Sequence, residues 1–74
     1  MIKQGLDAPI VAKFGRYGVV QGINYFGVKD LDIDYIFKDY RLTGEGLKQA
    51  KEEADDANKA WQALIVFAKE HRNE

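Results

Sequence analysis

The first part of the chain has the alternating apolar and polar positions that are typical of β-strands. In residues 10–14, the alternate side chains on one side are apolar, which matches the two-residue period of a strand. Residues 19–26 are rich in β-branched and aromatic side chains, and residues 15–18 contain two glycines suited to a turn. We therefore predict a hairpin with strands over residues 10–14 and 19–26.

The clearest alternation follows between residues 30 and 41. Its apolar positions are Leu31, Ile33, Tyr35 and Phe37, and the positions between them begin with Asp30, Asp32 and Asp34. A half-buried antiparallel strand produces this pattern, with one face in the core and the other in solvent. We predict a third strand over residues 31–41, whose outer face begins acidic and ends with Ile36 and Tyr40.

A long helix is predicted over residues 45–71. Thr43 is suited to cap its first turn, and Glu45 lies near the positive end of the helix dipole. Apolar residues recur at spacings of three and four and form one stripe, which consists of Leu47, Ala50, Ala54, Ala57, Trp61, Leu64 and Ala68. The predicted fold class is α+β, a single domain over residues 1–74 in which one helix packs across a three-stranded antiparallel meander (β-β-β-α).

The second half of this helix departs from the amphipathic pattern. Ala63 and Val66 lie opposite the apolar stripe and Phe67 flanks it, so this end is apolar on nearly all sides. About 27 helical residues span ~40 Å, whereas a strand of about seven residues spans ~24 Å. We expect the helix to overhang its sheet, and its apolar end to contact another protein or a second copy of the chain, as in a homodimer.

Composition excludes several kinds of chemistry. The 74 residues contain no cysteine and no serine, and His71 is the single histidine. Cysteine and serine nucleophiles are thereby excluded, and the chain lacks the roughly four Cys or His ligands of a structural zinc site. A small sheet with one helix also offers little concavity for a substrate pocket. We expect a protein that is not an enzyme and needs no cofactor or metal, with His71 capping or packing at the helix end.

Charge and hydropathy indicate a protein that does not enter a membrane. The chain has 11 basic and 12 acidic side chains, for a net charge of −1. Its longest apolar run, residues 63–68, is far shorter than the roughly 18 residues that cross a bilayer. The N-terminal residues show no hydrophobic signal region. We expect a cytoplasmic location.

Two short motifs match known ligand-binding loops in part. Residues 15–18, Gly-Arg-Tyr-Gly, match the GXXG loop of KH domains, but strand-like residues on both sides favour a hairpin turn. The three aspartates have the spacing of the first EF-hand calcium ligands, but Tyr35 replaces the required glycine and Arg41 the final glutamate. Three interpretations remain for them: a weak metal site, a negative row facing a basic partner, or a solvated face.

The order β-β-β-α resembles that of the arm-binding domains of tyrosine recombinases and of plant AP2 domains, over about residues 10–70. The resemblance implies a sheet that reads the major groove of DNA. Residues suited to nucleic-acid contact are Lys13, Arg16, Tyr17 and Lys38. Three aspartates on the outer sheet face would repel phosphate, so nucleic-acid binding is the second hypothesis.

Protein binding is the first hypothesis. We expect a small non-catalytic module that blocks a partner by occupying its surface, a role typical of phage or mobile-element accessory proteins. The acidic row would steer a basic partner, such as a nucleic-acid-binding protein. The predicted partner-binding residues are Asp30, Asp32, Asp34, Ile36, Tyr40, Ala63, Val66 and Phe67.

Overall fold

The computed structural model describes residues 8–71, which form an antiparallel sheet followed by one helix. The sheet has four strands in the order β1-β2-β3-β4, each hydrogen-bonded to its neighbour in sequence. The elements are β1 (Ile10–Phe14), β2 (Tyr17–Gln21), β3 (Tyr25–Asp30), β4 (Tyr35–Arg41) and α1 (Gly44–His71). The predicted α+β class with an antiparallel sheet and a C-terminal helix is confirmed, but the sheet has one strand more than predicted.

The additional strand arises because the predicted strand 19–26 is two strands joined by a turn. The chain reverses at residues 22–24, where the N–H of Gly22 donates a hydrogen bond of 2.9 Å to the carbonyl oxygen of Tyr25. A side chain at Gly22 would collide with the Tyr25 ring in its observed position. Ile23 lies at the tip and is 95% exposed. Its apolar side chain made the turn look like a continuous strand.

The predicted third strand is wrong in its first half. Residues 31–34 are a turn, while residues 27–30, which lie between the predicted strands 19–26 and 31–41, complete β3. Asp34 has a φ of 58°, a left-handed conformation that aspartate tolerates better than most residues. The alternation of Leu31 and Ile33 with aspartates therefore belongs to a chain reversal, and the row of three aspartates on one strand face is not formed.

The core lies between α1 and one face of the sheet. Val19 and Val28 are opposite each other on β2 and β3, and both are fully buried against Ala50 and Ala54. The alanines have no side chain beyond Cβ, so the helix approaches the sheet closely. Phe26 completes this buried cluster.

The helix begins where the sequence predicts. Thr43 Oγ1 accepts a hydrogen bond of 2.9 Å from the N–H of Gly46, which satisfies one free donor of the first turn. Gly46 packs directly on the carbonyl oxygen of Arg41, so no side chain fits at that position. The sharp passage from β4 into α1 thus depends on Thr43 and Gly46 together.

Candidate functional site

The apolar stripe of α1 changes from buried to exposed along its length. Ala50 and Ala54 are 0% exposed, whereas Leu64, on the same stripe, is 58% exposed. Trp61 is half-buried, and every residue from 62 to 70 is exposed. We call residues 62–70 the helix overhang. Its large apolar side chains are Leu64, Ile65, Val66 and Phe67.

The sheet ends where the overhang begins. Gly15 and Arg16 form the turn between β1 and β2, and this turn contacts Asn58 and Trp61 of the helix. The turn between β3 and β4 lies at the same end of the antiparallel meander. The expected excess of helix length over strand length is therefore confirmed, because the stripe residues Leu64 and Ala68, beyond Trp61, are exposed.

A concave surface adjoins the overhang between α1 and the start of β4. We call it the apolar cleft, and its volume is about 430 Å³. Ala57 and Ala60 form its helix side, where short side chains leave the space open. The remaining lining residues are Tyr17, Asp30, Tyr35, Phe37, Trp61 and Leu64. Leu64 belongs to both features, so the cleft and the overhang form one continuous surface.

A bulge in β4 places Phe37 in this cleft. Val28 is opposite Lys38 and Lys29 is opposite Ile36, so Phe37 is an extra residue in the strand. Its ring meets the Tyr17 ring edge-on, with centroids 5.9 Å apart and planes at 82°. Without the bulge, Phe37 would take a place in the pairing of β4 with β3. Ile36 and Lys38 could then not both keep their present partners, and the Phe37 ring would move out of the cleft.

Arg16 links the turn, the helix and β3 at the back of the cleft. Its Nε donates a hydrogen bond of 2.8 Å to Asp30 Oδ1, and its Nη1 lies 3.7 Å from Asp32 Oδ2. The guanidinium carbon stacks 4.2 Å from the centroid of the Trp61 ring. These contacts hold Trp61 against the sheet and position the last covered turn of the helix.

Asp30 is buried, and its charge has a structural role. The hydrogen bond from Arg16 holds the pKa of the Asp30 carboxyl below its usual value of 3.8, while burial acts in the opposite direction. The N–H of Asp32 also donates to Asp30 Oδ1, at 3.0 Å, and stabilises the turn after β3. The same hydrogen bond to Asp30 raises the pKa of Arg16 above its already high value. Asp30 therefore stabilises the turn after β3, and its carboxylate is engaged by Arg16 within the chain.

The other two aspartates have separate surroundings. The Asp32 side chain is 73% exposed and lies near Arg16, whereas Asp34 forms an ion pair with the buried Lys29. The acidic row predicted for partner steering is thus replaced by three aspartates in three different environments.

Ile36 and Tyr40, predicted to lie together on the outer face of one strand, lie on opposite faces of the sheet. Tyr40 is half-buried and packs on the core beneath the helix. Ile36 is half-buried on the opposite face, where it lies near Val20 over the space left by Gly27. In contrast, the predicted contact residues Ala63, Val66 and Phe67 are all exposed in the overhang. Tyr35 and Phe37, assigned to the core by the alternation, line the cleft and are exposed at 58% and 38%.

The residues predicted for nucleic-acid contact do not form one basic surface. Arg16 is paired with Asp30, and Tyr17 packs on the core. Lys38 lies 5.7 Å from the Tyr40 ring on the helix side of β4, whereas the register places Lys13 on the opposite sheet face. The element order shared with the recombinase and AP2 domains is also lost, because the sheet has four strands.

The fold and this surface define a small α+β protein whose candidate site is apolar. Within residues 8–71, no group of three or more His, Cys, Asp or Glu side chains is arranged to hold a metal ion. No helix in that part of the chain is long and apolar enough to cross a bilayer. Comparisons with protein families, with characterised proteins and with solved structures find no match for this chain.

Proposed function

We propose that the chain is a non-catalytic protein-binding module that docks through the helix overhang and the apolar cleft. The observation that carries this proposal is the exposed continuation of the stripe beyond Trp61. The same stripe is fully buried at Ala50 and Ala54, where the sheet covers it. A partner surface would replace the missing sheet beneath the overhang.

Burial of the exposed apolar side chains would contribute part of the free energy of binding. Leu64, Val66 and Phe67 are each more than half exposed. Full burial of such a side chain contributes about 1.5–3 kcal/mol, so burying the exposed half contributes about 1 kcal/mol for each residue. Tyr35 and Phe37 in the cleft add comparable amounts. The sum of several kcal/mol is comparable with the cost of association, about 4–15 kcal/mol, so the partner must bury apolar surface of its own as well.

The proposed binding rests on apolar contact, and charge contributes little to it. The expectation of a basic partner depended on three free aspartates, but Asp30 and Asp34 are ion-paired within the chain. The module would act by covering a surface of its partner. The simplest consequence is that the partner can no longer bind other molecules through that surface.

The test is capture of partners by the unmodified chain and by Leu64→Glu, with Gln49→Glu as the matched control. Both variants add one carboxylate to an exposed position of α1, but Gln49 lies on the half that the sheet covers. Captured proteins are identified by mass spectrometry, and their affinity for each purified variant is measured by calorimetry.

We expect Leu64→Glu to weaken binding at least tenfold, about 1.4 kcal/mol, and Gln49→Glu to leave it unchanged. Circular dichroism should show the same helix content in all three proteins, since both positions are exposed. Equal affinity of Leu64→Glu and the unmodified chain would exclude the exposed stripe as the docking surface.

A further inference from the structure

We infer that Arg16 is a positioning residue, which fixes the direction in which the helix overhang projects from the sheet and thereby the width of the apolar cleft. The inference rests on the proposed function, because it concerns how the same docking surface is held. Arg16 contacts two residues that line the cleft on different elements, Trp61 on the helix and Asp30 on β3. It therefore joins the helix side of the cleft to the sheet side.

The helix acts as a lever whose buried contacts lie in its first half. Ala50 and Ala54 are the fully buried helix residues, and they offer the sheet no side chain beyond Cβ that would resist rocking of the helix. Position 69 lies about 22 Å beyond Ala54 at the helical rise per residue. A rotation of about 10° about Ala54 would move position 69 by about 4 Å, but position 51 by less than about 1 Å. A second point of attachment beyond the alanines is needed to fix the overhang.

Arg16 supplies this attachment through its main chain and its side chain. Its N–H lies 3.4 Å from Asn58 Oδ1, and its guanidinium carbon lies 4.2 Å from the centroid of the Trp61 ring. Asn58 and Trp61 are about one and two helical turns beyond Ala54. Both contacts therefore act where the helix leaves the sheet.

The turn that carries Arg16 is itself tied to the end of β3 and to the turn that follows it. The carbonyl oxygen of Arg16 accepts a hydrogen bond of 2.9 Å from the N–H of Leu31. Its Nε donates to Asp30 Oδ1 at 2.8 Å, and its Nη1 lies 3.7 Å from Asp32 Oδ2. The attachment of the helix thus has a fixed base in the sheet.

This geometry requires a planar cation. The guanidinium stacks on the Trp61 ring while one of its N–H groups donates to Asp30. A lysine ammonium is a point charge without a face, so it can pair with Asp30 but cannot stack on the ring at the same time. Arg16→Lys therefore keeps the charge and the ion pair but loses the contact that fixes Trp61.

The experiment measures two distances by double electron–electron resonance between spin labels. The chain has no cysteine, so labels attach only where cysteines are introduced. One pair is Lys13→Cys on β1 with Lys69→Cys in the overhang, and the other is Lys13→Cys with Lys51→Cys on the covered half of the helix. All three lysines are exposed. In Arg16→Lys, the distance distribution to position 69 should broaden or shift by about 4 Å, and that to position 51 by less than about 1 Å.

Arg41→Lys is the matched control. Arg41 is an exposed arginine of β4, so its replacement by lysine should leave both distances unchanged. Trp61→Leu removes the other half of the stacked pair and should broaden the distance to position 69 as Arg16→Lys does, with little further change in the double variant. It carries the test alone if circular dichroism shows that Arg16→Lys does not fold.

Two results would overturn the inference. An unchanged distance to position 69 in Arg16→Lys and in Trp61→Leu would mean that the stacked pair does not set the direction of the overhang. Equal broadening of the distances to positions 69 and 51 would mean that Arg16 only stabilises the fold as a whole.

Capture of partners separates this inference from the proposed function. Arg16→Lys should weaken the binding of a captured partner about threefold, less than Leu64→Glu does, because a surface held in one direction loses less freedom on binding. If Leu64→Glu binds with unchanged affinity while the distance to position 69 broadens in Arg16→Lys, the proposed function is wrong and Arg16 still positions the overhang. If Leu64→Glu loses the partner while that distance stays the same in Arg16→Lys, the proposed function stands and this inference is wrong.

Discussion

Arg16 shows how one residue can join three parts of this small fold. Its guanidinium stacks on Trp61 and its Nε donates to Asp30, while its backbone N–H lies 3.4 Å from Asn58 Oδ1. Gly15 precedes it with a φ of 61°, and a side chain there would collide with Asn58. The Gly-Arg-Tyr-Gly segment therefore forms a turn that docks on its own helix, and its tip residue is occupied by contacts within the chain.

The lowered pKa of Asp30 predicts how its contribution depends on pH. The carboxylate is stabilised in the folded state, so its contribution to the free energy of unfolding is complete only well above its unfolded-state pKa. That contribution is lost as the pH falls below the unfolded-state value of about 3.8 and through the lower folded-state pKa.

Asp30→Asn should therefore be less stable than the unmodified chain at pH 7, and the difference should shrink as the pH approaches 2.5. The measurement is urea unfolding of both proteins at several pH values. A difference that stays constant from pH 7 to pH 2.5 would mean that the Asp30 charge does not stabilise the fold. Asp55→Asn is the control, because Asp55 forms an exposed pair with Lys59 and should change stability little.

At the scale of elements, the helix and the sheet have different lengths. The helix has 28 residues and spans about 42 Å, whereas the longest strand has seven residues and spans about 24 Å. The bulge in β4 and the turn at residues 31–34 both lie at the end where the helix projects. The cleft is a consequence of these features together, because the aromatic residues Tyr35 and Phe37 at the start of β4 are not fully covered by the helix.

Because the sheet covers only the first part of the stripe, substitutions at its two ends should lower the free energy of unfolding by different amounts. Ala54→Leu adds volume at a fully buried contact with the sheet and should lower the free energy of unfolding by about 1–3 kcal/mol. Leu64→Ala removes the three carbon atoms that Ala54→Leu adds, but at an exposed position. It should lower the free energy of unfolding of the monomer by less than about 0.5 kcal/mol.

Urea unfolding at low protein concentration measures both values without a contribution from association. The control is Lys51→Leu, a substitution to the same residue at an exposed position on the covered half of the helix, and it should be nearly neutral. If Leu64→Ala were as costly as Ala54→Leu in the monomer, the overhang would have to be packed within its own chain.

At the scale of the whole molecule, the fold has a small core. The fully buried hydrophobic side chains of the described residues are three valines and two alanines. A chain of this size buries only about 60% of its unfolded surface and is correspondingly marginal in stability. Without cysteines or a structural metal site within residues 8–71, association is the remaining way to bury more apolar surface.

The helix, its cap and its overhang were predictable from local information. A stripe at spacings of three and four has the period of a helix, and Thr43 satisfies donors only three residues away. The excess length follows from the rise per residue of helices and strands. These properties depend on neighbours in sequence, so the pattern of residues was sufficient for them.

The number of strands and the cleft were decided by the tertiary structure. An alternation of apolar residues does not distinguish a strand from a turn. Leu31 lies in one turn and packs over Gly18, whereas Ile23 lies in another turn and is exposed to solvent. The bulge at Phe37 depends on the pairing of β3 with β4, and the burial of Asp30 depends on Arg16. Each of these rests on partners distant in sequence, and a one-dimensional pattern carries no information about which partners meet.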